Sequence, residues 1–97
     1  MTTYISLMKL TDQGIKDIKN AGNRMENARK AVAGAGGKWI GCYMVTGEYD
    51  YVALAEFPSD QAGAAFILAL GAAGNLRTTT MRAFTEQEFV EIIKYLP

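Results

Sequence analysis

The stretch VTGEYDYVALAEFP, Val45 to Pro58, decides the fold. A glycine-bearing turn, Thr46-Gly47-Glu48, opens onto Tyr49 to Phe57, a run of β-branched, aromatic and small apolar residues with the character of a strand. Upstream, KWIGCYMV, Lys38 to Val45, has the same character, so the two runs read as a β-hairpin. With a three-residue turn the strands pair around Val45 and Tyr49. Ile40, Cys42, Val52 and Leu54 then share one face, and Trp39, Gly41, Tyr43, Tyr51, Ala53, Ala55 and Phe57 the other. The aliphatic set is assigned to the helix-covered side.

Outward from the hairpin, YISLMKL, Tyr4 to Leu10, reads as a first strand, and Thr11 or Asp12 as the N-cap of a helix. Ile15, Ile18, Gly22, Met25, Ala28 and Val32 recur at three- and four-residue intervals, which predicts one apolar stripe on a helix of about five turns. AGAGG, Ala33 to Gly37, ends it. After the hairpin, Ser59 or Asp60 caps a second, almost wholly apolar helix, and LRTTTMRAF is a fourth strand. Thr85 and Glu88 have capping-box spacing at the start of a short last helix whose apolar face is Phe89, Ile92, Ile93 and Leu96. The order β-α-β-β-α-β-α predicts a single domain over residues 1–97. Its α+β, ferredoxin-like βαββαβ core has a four-stranded antiparallel sheet in the order 4-1-3-2, helices on one face, and a C-terminal helix.

A sheet with helices on one side only normally alternates apolar and polar residues, and this one is apolar on both faces. Apolar patches beyond about 300–600 Å² are uncommon on monomers. The second face is therefore expected to be covered by a second copy of the chain, sheet against sheet. The competing expectation is that the last helix folds back over it.

The 97 residues carry ten basic and ten acidic side chains, and this balance lacks the charge of a nucleic-acid binder. No apolar run is long enough for a membrane span, and the first residues lack a signal-peptide pattern, so a cytoplasmic protein is expected. There is no histidine, the commonest general base and metal ligand, and Cys42 is the only cysteine. Neither a catalytic set, a cofactor motif nor metal-ligand spacing is visible. Gly34 to Lys38 faintly suggests a phosphate loop, but it follows a helix and continues into Trp39.

Asp50, between Tyr49 and Tyr51, is the polar residue that asks for an explanation, since Asp is disfavoured in strands. Its carboxylate is expected to accept backbone N–H groups of the turn or of the first helix, or to pair with Arg77 or Lys9. The alternative is a ligand contact at the mouth of a cavity. Tyr43, Tyr49, Asp50, Tyr51 and Arg77 are then the candidate ligand-binding residues for a small apolar or aromatic compound.

At TGEYDYVALAEFPS the chain resembles the GYD-domain family, with Gly47, Tyr49 and Asp50 as the signature and Glu48 inserted after the glycine. YISLMKLTDQGIKDIK and GGKWIGCYMVTGEYD fit the same family, so the resemblance covers essentially the whole chain. It implies a dimeric α/β barrel of ferredoxin-like protomers and says little about activity. The hairpin is also similar to that of the effector-binding domain of Lrp/AsnC regulators, which oligomerises and binds amino acids; no helix-turn-helix precedes it here. Three functions compete. One is a homo-oligomeric small-molecule-binding or regulatory module without its own catalysis. The second is a small cofactor-independent enzyme using Tyr and Asp, and the third a purely structural assembly protein.

Overall fold

Strand β1, Thr2–Leu10, lies inside a four-stranded antiparallel sheet whose order is β2-β3-β1-β4, the expected 4-1-3-2. The computed structural model describes residues 1–97. Along the chain, β1 is followed by α1 (Asp12–Lys16), a 3₁₀ turn (Ile18–Asn20), α2 (Ala21–Gly34), β2 (Lys38–Met44) and β3 (Tyr51–Phe57). Then come α3 (Asp60–Ala73), β4 (Leu76–Ala83) and α4 (Glu86–Ile93). Thr11, Ser59 and Thr85 are the N-caps of α1, α3 and α4, and Thr85 and Glu88 form the complete capping box.

The predicted five-turn helix is broken. Gly14 sits against the turn after α3, where a β-carbon would lie 2.2 Å from the Asn75 carbonyl oxygen. That turn also takes the Thr11 backbone N–H on Asn75 O at 3.0 Å and the Thr11 hydroxyl on Gly74 O at 2.6 Å. Docking α1 there leaves α2 to start afresh. The Asp17 carbonyl accepts the Asn20 N–H at 3.0 Å and the Arg24 guanidinium at 2.9 Å in place of a continued helical ladder. Ile15 and Ile18, read as part of one buried stripe, are exposed.

The hairpin is one residue out of the expected register, which moves Cys42 to the face of Tyr51 and Ala53, and the sheet turns its aromatic rather than its aliphatic face to the helices. Met44 pairs with Tyr51, and the Val45 N–H donates to Asp50 O at 2.9 Å, so the connection is Thr46–Tyr49 rather than three residues. Gly47 has φ +123°, open to glycine and strained for other residues. A bulge at Ile40 then restores the pairing of Trp39 with Ala55. Trp39, Cys42, Tyr51, Ala53, Ala55 and Phe57 look toward the helices, with Tyr4, Ser6, Met8 and Leu10 of β1. By alternation Ile5, Leu7, Val52, Leu54, Tyr43 and Met81 occupy the open face. The assignment of the aliphatic residues to the helices is thus overturned, apart from Cys42.

Packing explains the choice. Helix α3 turns Gly63, Phe66, Ile67 and Leu70 toward the sheet, and Gly63 leaves room for the rings beneath it. A β-carbon there would lie 2.9 Å from the Tyr4 ring and 3.4 Å from that of Phe57. Phe57 is almost wholly buried between Tyr4 and Phe66, at centroid distances of 6.0 and 5.4 Å. At Gly63 the missing side chain of the helix is matched by large ones on the sheet, Tyr4 and Phe57. The aromatic face therefore goes inward and the aliphatic face is left open. Helix α4 does not fold back over that face; its Phe89, Ile93 and Leu96 remain 57%, 46% and 68% exposed.

Candidate functional site

An apolar cleft lies between the inner sheet face and the two long helices. Helix α2 packs on β2 and α3 on β3 and β4, with few approaches between α2 and α3. The space left above the middle of the sheet is a cavity of about 80 Å³, with Met8, Trp39, Cys42, Tyr51, Phe66 and Leu70 among its walls. The small side chains of Ala53 and Ala55 form its floor. Trp39 is held at the rim by the Arg29 guanidinium of α2, 5.4 Å from its ring centroid.

Few polar groups reach this space, and most are engaged. The Ser6 hydroxyl shares a 2.9 Å hydrogen bond with that of Thr80. Arg24 bonds Asp17 and the Gly14 carbonyl, which ties α2 to α1. The Tyr4 hydroxyl donates to Asp60 at the start of α3, and this bond, with some desolvation, raises its pKa above the usual phenol value. The Cys42 thiol is also pushed up, chiefly because burial disfavours the thiolate, with the Arg29 charge opposing weakly. Both groups therefore move away from neutrality, opposite to what a general base or an activated nucleophile needs. A wider, shallower depression of about 500 Å³ lies between α3 and β4 beside Tyr4, Asp60 and Thr80.

The five residues predicted to contact a ligand do not form one cluster. Tyr51 lines the cleft. Tyr43 is on the opposite sheet face and 63% exposed. Tyr49 lies in the hairpin connection under the Lys9 ammonium, 5.4 Å from its ring centroid. Arg77 donates to the carbonyls of Gly71 and Leu76 at 3.1 and 3.0 Å, so the expected Asp50–Arg77 pair is not made. Lys9 pairs instead with Glu48 at 3.7 Å.

Asp50 is held by the backbone of β1 and by its own hairpin. Its Oδ2 accepts the Leu10 N–H at 2.8 Å, its N–H donates to Met8 O at 2.8 Å, and its carbonyl takes the Val45 N–H. The carboxylate thus stands in for a ladder carbonyl where β3 has not yet begun. Of the two expectations for Asp50, this geometry is the structural one, with the donor coming from the end of β1. Trp39, Tyr51 and Phe57, expected on the face that meets a second copy, are walls of the cleft instead, and Phe66 and Leu70 were not singled out from the sequence. Phe66, Ile67 and Leu70 recur after Gly63 at three- and four-residue spacing, the signal that places them on the inner side of α3.

Residues 4–93 match the family model of the GYD domain, and the chain belongs to that family. Among solved structures, it is similar to TTHA0845 from Thermus thermophilus, at 25% identity and a TM-score of 0.56; the match covers 88% of this chain and 95% of that one. No curated protein matches the chain.

Proposed function

We propose that this GYD-domain protein is a homo-oligomeric small-molecule-binding or regulatory module without catalysis of its own. The cleft between the inner sheet face and the two long helices takes a small apolar or aromatic compound. The observation that carries the reading is the cleft itself: apolar walls, an indole at the rim, and the Tyr51 phenol, which has no partner within the chain to compete with a ligand. Binding sites of this kind combine apolar surface with a few orienting polar groups. At about 80 Å³ the cavity is smaller than the roughly 150 Å³ that admits a benzene ring. Entry therefore requires α2 and α3 to part, which their sparse mutual contact favours. An enzyme reading has less support, since the cleft has no histidine and Asp50 is engaged elsewhere.

Self-association rests on the open face. The chain exposes 6556 Å², whereas a compact monomer of its mass exposes about 5,500 Å². The excess of roughly 1,000 Å² is of the size that one partner buries in an ordinary interface, about 800 Å².

Trp39 is the only tryptophan, so its indole N–H resonance reports on the cleft alone. Titration with p-cresol is expected to shift that resonance saturably. Ala55→Leu, which fills the floor, is expected to abolish the shift. Native mass spectrometry of freshly purified protein is expected to show a retained small compound. No saturable shift together with no retained compound overturns the binding reading.

A further inference from the structure

We infer that α4 and the residues after it form an arm that docks on a second copy of this chain. The inference rests on the self-association reading and adds a contact which that reading does not contain. Helix α4 is eight residues long. Helices below about 12–15 residues are marginal in water unless a face is packed. Here Phe89, Ile92, Ile93 and Leu96 are between 40% and 68% exposed, and the helix has no substantial contact with the body of its own chain.

Its start is nevertheless fixed. The capping box joins Thr85 and Glu88, and Arg82 of β4 reaches Glu88 at 3.7 Å while its guanidinium lies 4.3 Å from the Phe84 ring centroid. These contacts fix the start of α4, and the molecule is 52 Å in its longest dimension. Its radius of gyration is 14.6 Å, where about 12.5 Å is usual for this length.

The occupant follows from area. Exposed apolar side chains lie both on the open sheet face, Met81 among them, and on the arm, at Phe89 and Ile93. A second copy presents the same open aliphatic face and the same excess of exposed area. In a two-fold arrangement each arm meets the other protomer beside the sheet-to-sheet contact, and both unpartnered surfaces are buried by one association.

The test uses the full-length chain, with an equal mixture of unlabelled and ¹⁵N-labelled protein. Sedimentation gives the assembly state. Amide exchange reads the protection of residues 89–96, and an amine-reactive cross-linker reads the neighbours of Lys94. The expected result is an assembly in which these amides are protected and Lys94 forms mixed-isotope cross-links. The double variant Phe89→Ser, Ile93→Ser is expected to lose the protection and weaken assembly at least tenfold, with the circular dichroism of the sheet intact. An assembly with unprotected α4 amides, or with Lys94 cross-linked only within one isotope, overturns the arm and leaves self-association standing. A monomer at micromolar concentration overturns self-association, and the arm falls with it.

Discussion

The carboxylate of Asp50 accepts the backbone N–H of Leu10 at 2.8 Å, and this one bond fastens the end of β1 to the hairpin that precedes β3. With the Asp50 N–H on Met8 O and the Val45 N–H on Asp50 O, a single residue links β1, the end of β2 and the entry to β3. Asp50→Ala leaves the half-buried Leu10 N–H without its acceptor and should cost about 1–3 kcal/mol in urea unfolding. Asp50→Asn keeps an acceptor oxygen and should cost less. If Asp50→Ala instead stays within about 0.5 kcal/mol of the parent, as surface changes do, the bond is not structural.

Gly14→Ala tests the docking of α1. The added methyl meets the Asn75 carbonyl oxygen at 2.2 Å, and that atom is backbone, already engaged by the Thr11 N–H. Overpacking of this kind costs about 1–3 kcal/mol. Thermal melting should show a lowered midpoint. Gly22→Ala, where a β-carbon meets nothing, should leave it unchanged or higher.

The Cys42 thiol should react slowly in the native protein. Burial raises its pKa, so the thiolate fraction at pH 8 is below that of an exposed cysteine. Alkylation by iodoacetamide should be several-fold faster in urea than in buffer. The linkage has a definite sign. A thiol with a raised folded pKa contributes stability that is full below the unfolded pKa and is lost as pH rises through the folded one. Native alkylation at the rate of a free thiol would show that α2 does not cover Cys42.

The element order, strand order and caps were legible because each rests on local chemistry: Thr11, Ser59 and the Thr85–Glu88 pair need only their next few residues. The facing of the sheet was not, because both faces are apolar and alternation alone does not say which one the helices cover; the hairpin register decides only which side Cys42 and Tyr43 take. Pairing Val45 with Tyr49 or with Asp50 both suit the composition, and a slip of one exchanges the faces that cross-strand neighbours share. The bulge at Ile40 then hides the change from a reading of Trp39 alone. Gly63 held part of the missing information, since a helix that approaches the sheet at a glycine has room for the Tyr4 and Phe57 rings beneath it. The partner of Asp50 was out of reach for another reason: the donor is a backbone N–H, which no side-chain pattern marks.

The exchanged faces also decide where a charge should disrupt assembly. Tyr51 lines the cleft, so Tyr51→Glu would strain the fold rather than probe an interface. Tyr43 and Leu54 lie on the open face, Tyr43 with 63% of its surface exposed and free of intramolecular hydrogen bonds. In a lone protomer Tyr43→Glu meets only water and should change stability by no more than about 0.5 kcal/mol. Between two sheets the same carboxylate would be desolvated without a partner, and an unpaired buried charge costs several kcal/mol. Sedimentation velocity across a dilution series should therefore show Tyr43→Glu dissociating at a concentration at least a hundredfold above the parent, with unchanged far-ultraviolet circular dichroism. Leu54→Glu should act in the same direction, because Leu54 pairs with Gly41 and Ile5 in the middle of that face. If both variants assemble as tightly as the parent, the open face is not the contact. The excess exposed area would then belong to the cleft rims and α4 rather than to a sheet-to-sheet pair.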